Sequence, residues 1–188
     1  MKKTVRKIFW IWDFEKEEKW LNEMSSKGWH LCEVTGTKNQ IGNCTYVFQE
    51  GEASNYIYRL ELLNDLPTSF MGTDYIHFVE ETGAEHIGSI FRWVYFRRKA
   101  DSGEFNMFSD IDSRISHLNR ILILNMVLFG VMLFSIANNI YWLMMRLRNG
   151  GGLVIGIFLM AYLLFLMYGL ISLLLIRHKL RKRKILHE

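Results

Sequence analysis

Histidines and carboxylates are the side chains of this sequence that could take part in acid–base catalysis or bind a metal ion. His30, His77 and His86 could meet in a folded domain, with Glu80 and Glu81 beside them. A catalytic site needs a nucleophile with a base, paired carboxylates in a pocket, or metal ligands at helical spacing. The chain has none of these arrangements, and no phosphate loop, GxGxxG or HExxH motif. We therefore predict a protein that is not an enzyme, with no catalytic residue, no cofactor and no identified small-molecule substrate.

The two cysteines, Cys32 and Cys44, could form a disulfide across a hairpin or half of a metal site. They lack the CxxC spacing and the clustered histidines that indicate a zinc site. The apolar run at residues 8–12 ends at Asp13, and it is shorter than the roughly 7 to 15 residues of a signal peptide. We therefore expect the N-terminal region, which contains both cysteines, to stay inside the cell. Its thiols should be structural and reduced, with no bound metal.

Two long apolar runs near the C-terminal end indicate membrane helices. Residues 153–176 carry no charge. Residues 121–145 are less uniformly apolar because they contain three asparagines, of which Asn125 is the first. About 20 helical residues, rising about 1.5 Å each, cross a bilayer core about 30 Å thick. A glycine-rich turn at residues 146–152 joins the two runs. The sequence therefore predicts a transmembrane hairpin.

The basic residues predict the orientation of this hairpin. Five Lys or Arg residues lie between position 97 and the first run, six follow the second run, and two lie in the turn. Because Lys and Arg beside membrane helices are retained in the cytoplasm, we predict a multi-pass protein of the cell membrane with both termini cytoplasmic. The net charge of +4 reflects this clustering, so the lipid bilayer is an expected partner and nucleic acid is not.

Gly152 and Gly156 form a GxxxG pattern at the start of the second run. Small residues at this spacing let two helix backbones approach closely. We predict that these glycines pack the two spans against each other, which is a simpler use of the pattern than dimerisation.

The region before the hairpin has the pattern of a small α+β domain. Residues 6–12 are typical of a strand, Asp13 is a candidate helix cap, and residues 16–27 have apolar side chains at helical spacing. A glycine then ends the helix, and two strands follow at residues 29–35 and 45–49.

The same order of elements then returns. A second strand, helix, strand and strand are predicted at residues 56–62, 73–82, 85–90 and 91–97. The pattern indicates an internal repeat.

Matching positions support this repeat, because Trp20 and Tyr75 are 55 positions apart, as are Gly28 and Gly83. Two such units predict ferredoxin-like halves in which helices pack on an antiparallel sheet. The predicted regions are an α+β domain at residues 1–101, a linker helix at 102–120, the hairpin at 121–176 and a basic tail at 177–188.

Two predicted strands, at residues 8–12 and 91–96, are apolar on both faces, although a sheet with one wet face should alternate with polar residues. The second face could be covered by the other repeat, a second copy, the bilayer or a ligand, and packing within the chain is the simplest of these. If a partner covers it, the candidate partner surface consists of Trp10, Trp12, Trp93 and Tyr95. The aromatic strand also resembles an RNA-stacking surface but lacks the glycine-bearing signature of that class.

The initial basic and aromatic strand and four further segments resemble those of a known family, namely residues 13–24, 27–31, 46–48 and 56–61. The family comprises small membrane proteins of Gram-positive bacteria known as domain-of-unknown-function family 2812. The resemblance implies an N-terminal domain followed by a membrane hairpin, with no assigned activity. Genes of this family are common neighbours of PadR-type winged-helix repressors, which implies a regulatory role.

Together these patterns predict a membrane-anchored cytoplasmic sensor or adaptor that binds a protein partner or a second copy of itself, linked to a PadR-type regulatory system. The alternative is an accessory subunit of a membrane transporter or channel, in which the hairpin makes the recognition contact. Recovery of partners from native membranes distinguishes the two.

Overall fold

A computed structural model describes residues 1–36, 43–53, 55–103, 105, 111–148 and 153–187. The chain divides into two units, Met1–Ser109 and Asp110–Glu188. Among the described residues, the first unit contains six strands and two α-helices, and the second contains two long apolar helices.

The first repeat contains β1 (Lys2–Ile8), α1 (Phe14–Ser26), β2 (Trp29–Gly36) and β3 (Asn43–Glu50). Strand β3 lies between β1 and β2 and is antiparallel to both. The outer strands are therefore parallel to each other and are connected through α1, which is the split βαβ arrangement of ferredoxin-like halves.

The second repeat contains β4 (Tyr56–Leu62), α2 (Phe70–Glu81), β5 (Glu85–Ile90) and β6 (Trp93–Lys99). Its strand order, β4-β6-β5, is the same as that of the first repeat. The predicted fold class, tandem α+β repeats with antiparallel sheets followed by a helical hairpin, is confirmed.

The two repeats agree in backbone detail at the predicted offset. Gly28 and Gly83 follow the two helices with φ values of +77° and +86°, a conformation in which glycine is the least strained residue. The pairing of β2 with β3 shifts at Cys32, and the pairing of β5 with β6 shifts at Ile87, 55 positions later. Each repeat therefore carries a bulge at the same place.

Several predicted boundaries were wrong, and β1 begins at Lys2, four residues before its predicted start. Strand β1 ends at Ile8, because Ile11–Asp13 forms a 3₁₀ turn in which the Asp13 N–H donates to the Trp10 carbonyl at 2.8 Å. The Asp13 side chain does not cap α1 but pairs with Lys16 at 2.6 Å.

Helix α2 begins at Phe70, three residues before the predicted start. Ser69 caps it, accepting from the Gly72 N–H at 3.1 Å. Strand β6 begins at Trp93, because Phe91 has φ +56° in the turn between β5 and β6.

Strand β6 is buried on both faces, as its apolar sequence predicted. Tyr95 belongs to a first core with Leu21 of α1 and Leu31 of β2, whereas Val94 and Phe96 belong to a second core with α2. Neighbouring residues of a strand point to opposite faces, so each face meets a different core. The cover is therefore within the unit, where the two repeats share the first core.

The second unit consists of α3 (Ile111–Arg148) and α4 (Leu153–His187), which pack side by side. Two spans, Asp112–Asn138 and Gly156–Lys182, are long and apolar enough to cross a membrane. Helix α3 is continuous from the predicted linker into the first run, and α4 continues into the basic tail. The predicted turn glycine Gly152 lies outside the described residues, whereas Gly156 is half-buried in α4.

Most of the buried residues of these helices follow a seam with alternating spacings of three and four, typical of helix pairs, and His117 and Ile121 are buried beside it. On α4 the buried leucines of the described residues are seven residues apart. The seam contains Ile115, Leu118, Leu122, Asn125 and Met132 of α3, with Leu166, Leu173 and Leu180 of α4.

Candidate interaction site

The first two residues of the predicted partner surface lie in the segment between β1 and α1. The rings of Trp10 and Trp12 stack with centroids 6.0 Å apart. Trp12 is only 6% exposed, whereas Trp10 is 41% exposed. Since the segment is a turn and not a strand, these side chains stack with each other and do not form a flat sheet face.

The other two residues lie on β6 and face α1. Trp93 stacks on Phe14 at 5.9 Å, and Tyr95 is buried with its hydroxyl 2.7 Å from Glu17 Oε1. Burial therefore places Tyr95 in the core of the unit. Of the four predicted residues, Trp10 is the most exposed.

A buried carboxylate joins the two repeats. Glu17 Oε1 accepts a hydrogen bond from Tyr46 of β3 at 2.6 Å and another from Tyr95 of β6 at 2.7 Å. Burial raises the pKa of Glu17, and the two hydroxyl donors partly offset this rise. Burial also raises the pKa of both tyrosines, so the phenols remain donors. Sequence reasoning missed Glu17, although its spacing from Leu21 places it on the apolar stripe of α1.

Polar side chains of α1 cover the free edge of β4. Glu18, Asn22 and Ser25 occupy successive turns of the helix, and their rises of about 6 and 4.5 Å let them reach alternate residues of an extended strand. The bonds are Leu60 N to Glu18 Oε1 (2.8 Å), Tyr58 N to Asn22 Oδ1 (2.9 Å), Asn22 Nδ2 to Tyr58 O (3.2 Å) and Ser25 Oγ to Tyr56 O (2.7 Å). Since these backbone groups are occupied, a partner strand cannot pair with this edge.

The three histidines considered for chemistry have separate partners. His30 is buried with Nε2 2.7 Å from the Glu52 carbonyl, and His77 pairs with Glu80 at 3.3 Å on α2. His86 Nε2 lies 2.9 Å from Ser89 Oγ. Within the described part of the chain, no three His, Cys, Asp or Glu side chains form a group suited to a metal ion.

The largest exposed apolar side chains of the first unit's helices lie on α2. Phe70, Met71 and Phe78 are 84%, 62% and 61% exposed. We call these three residues the α2 face. Sequence reasoning missed Phe70 and Met71 because it placed them in a loop before the helix; Ser69, a good capping residue, was the available signal.

The equivalent face of α1 is charged. At the repeat offset of 55, the three residues of the α2 face correspond to Glu15, Lys16 and Glu23 of α1. The inner faces are alike, since Ile76 and Val79 are buried where Leu21 and Met24 are buried in α1. The two helices therefore bury equivalent apolar side chains, but α2 exposes apolar side chains where α1 exposes charged ones.

The surroundings of the α2 face are acidic. The sequence has no Lys or Arg between positions 60 and 91. The acidic residues in this interval are Glu61, Asp65, Asp74, Glu80, Glu81 and Glu85. Of these, Glu61 is buried and accepts from the Tyr75 hydroxyl at 2.6 Å, and Glu85 pairs with Arg97 at 2.8 Å. Asp74 is exposed on the helix.

The fold defines a class of protein in which two split βαβ repeats precede a pair of long apolar helices. Residues 13–132 match the family model described as "Protein of unknown function (DUF2812)", and the chain belongs to that family. The match extends from the turn before α1 through the second repeat and into α3. The predicted family is thereby confirmed. Comparison with curated proteins and with solved structures found no match.

Proposed function

We propose that this protein is a membrane-anchored adaptor whose α2 face binds a protein partner. The observation that carries the proposal is the contrast between the two repeats. Phe70, Met71 and Phe78 are exposed on α2, whereas charged residues occupy the same positions on α1. Exposed apolar clusters of this kind mark interaction sites more often than isolated exposed residues do.

The charge around the α2 face indicates the chemistry of the partner. The interval from position 60 to 91 has acidic residues and no Lys or Arg, which repels an anionic membrane surface and attracts a basic one. The edge of β4 is covered by α1, which disfavours a partner that adds a strand there. The partner that fits is a protein with an apolar patch bordered by Lys or Arg, docked against the helix.

The two long helices supply the anchor. In the most apolar stretches of α3 and α4, only 22% and 17% of the residues are buried. Side chains such as Phe134 and Phe158 are largely exposed. A water-soluble protein rarely leaves such long apolar surfaces uncovered, so we place both helices in the bilayer. The excess of basic residues outside the turn supports cytoplasmic termini. The link to PadR-type repressors stays a prediction.

A photocrosslinking amino acid at position 78 tests the interface in cells. We expect Phe78 replaced by p-benzoylphenylalanine to form a covalent adduct with a protein, whereas the same replacement of Glu23, its equivalent on α1, forms none. Phe70→Glu should lower the yield at position 78 about tenfold, because burial of one aromatic side chain contributes about 1.5 to 3 kcal/mol. Mass spectrometry of the adduct should find Lys or Arg beside the crosslinked residue.

Equal adducts at positions 23 and 78, or a yield unchanged by Phe70→Glu, would contradict an interface at the α2 face. An adduct between two copies of this chain would identify the partner as a second copy. The accessory-subunit alternative predicts a different pattern, with adducts from the outward side of α3, for example at Phe134, which is largely exposed.

Thiol labelling of intact cells tests the orientation. In a chain whose own cysteines are replaced by serine, we expect a cysteine at Gly151 to react with an impermeant reagent and a cysteine at His187 to be protected. The reason is that basic residues hold the helix ends opposite the turn in the cytoplasm. Labelling of position 187 with protection of position 151 would reverse the assignment, and reaction of both after permeabilisation is the control.

A further inference from the structure

Asn125 is an exception in the apolar seam between α3 and α4. It is completely buried, and within the described residues neither its side-chain nitrogen nor its side-chain oxygen has a hydrogen-bond partner. A buried amide without a partner is costly, and more so where no water is available. We therefore expect a polar group to form the missing hydrogen bonds of the Asn125 amide.

Arg177 of α4 lies at the same level of the helix pair. Asn125 is 23 residues before the end of α3, and Arg177 is 24 residues after the start of α4. At about 1.5 Å per residue both lie roughly 35 Å from the turn, just beyond a bilayer core of about 30 Å. Arg177 is four residues after Leu173 and three before Leu180, so it continues the seam of α4.

The guanidinium group of Arg177 has one nitrogen buried between the helices, while part of the side chain remains accessible. Among the described residues its Nε is buried without a hydrogen-bond partner, whereas the residue as a whole is half-buried. Within the described part of the second unit, the acidic side chain is Asp112 alone, and Arg177 forms no ion pair with it. The charge of Arg177 therefore has no carboxylate to balance it there.

We propose that Asn125 and Arg177 form a binding site for the phosphate group of an anionic lipid. The outer nitrogens of the guanidinium donate to the phosphate oxygens, a pairing for which arginine is well suited. Within the described residues neither Asn125 Oδ1 nor Arg177 Nε has a partner, and in the lipid-bound state Asn125 Oδ1 accepts from Arg177 Nε. This makes Asn125 the positioning residue that orients the cation. The site rests on the proposed insertion of both helices in a membrane.

The neighbouring surface fits a lipid better than a free anion. Leu174 and Leu175 are exposed within one turn of Arg177 on the side of the bilayer core. A lipid whose phosphate contacts Arg177 can lay its acyl chains along these side chains, whereas inorganic phosphate gains nothing from them.

The test measures retention of phosphatidylglycerol by the full chain, purified in detergent and titrated with this lipid in native mass spectrometry. We expect Arg177→Gln to weaken binding about tenfold, since it removes a charge-assisted hydrogen bond. Asn125→Leu should weaken it by about threefold, because the guanidinium group loses the acceptor that orients it. Lys179→Gln is the matched control: it removes a charge from an exposed residue of the same segment and should leave binding within twofold.

Several results would overturn the site. An equal loss in Lys179→Gln would show a diffuse basic surface, and full binding by Asn125→Leu would remove the positioning role. Displacement of the lipid by millimolar inorganic phosphate would assign the site to a free anion, and equal retention of phosphatidylcholine would contradict selectivity for anionic lipid. Circular dichroism of each variant checks that the helices remain formed. Release of the parent protein from membranes by alkaline carbonate would instead refute the proposed membrane anchor, which separates the two failures.

Discussion

Gly28→Ala is expected to destabilise the first unit by about 3 kcal/mol, whereas Gly83→Ala, at the equivalent position of the second repeat, costs about 1 kcal/mol. Both glycines have positive φ, so alanine strains the backbone at either position. At Gly28 a Cβ would also lie 2.7 Å from the Gly51 carbonyl oxygen, while at Gly83 it would meet no described atom within 4 Å. The difference between the two variants therefore measures the clash alone.

Urea unfolding of a fragment covering Met1–Ser109, followed by circular dichroism, checks this prediction. The fragment has two cores of its own, so its unfolding reports on the repeats without the long helices. Equal losses of stability in the two variants would mean that strain dominates and that the contact between Gly28 and Gly51 is looser than described. A Gly83→Ala variant as stable as the parent would contradict the left-handed conformation at that position.

Glu17→Ala should cost the first unit about 3 kcal/mol. The substitution leaves the hydroxyls of Tyr46 and Tyr95 without their acceptor, and each buried orphaned group costs about 1 to 3 kcal/mol. Glu17→Gln keeps a carbonyl oxygen that can accept from the same two hydroxyls, and is expected to be much less destabilising. The same unfolding measurement compares the two, and an equal loss in both would show that packing, and not the hydrogen bonds, is responsible.

Stability against pH gives a second signature of Glu17. Because burial raises its pKa above the ordinary value of 4.5, the folded state holds the proton more tightly than the unfolded state. The contribution of Glu17 is therefore fully present below that value and is lost as pH rises towards the folded pKa. We expect the parent to lose stability relative to Glu17→Gln over this interval, from pH 4.5 upwards. A difference that does not change with pH would contradict a buried, proton-binding carboxylate.

The sequence by itself determined the features that depend on local periodicity and backbone conformation. The two apolar helices follow from run length, and the order of the repeats follows from alternating strand and helix patterns. Gly28 and Gly83 ended their helices as predicted, since positive φ is a local requirement that glycine meets at the lowest cost. The boundaries at Ile8 and Phe70 were missed because turn and cap geometry depends on individual hydrogen bonds.

Tertiary structure alone decided what covers each apolar surface. The pattern of β6 showed that both its faces needed a partner, but burial is non-directional, and Tyr95 could have met a second protein as readily as α1. The packing of the two repeats also decided that Glu17 accepts a hydrogen bond from Tyr95 and that the α2 face stays exposed. Likewise, Asn125 and Arg177 lie 52 positions apart in the chain, and only the packing of α3 on α4 brings them to one level.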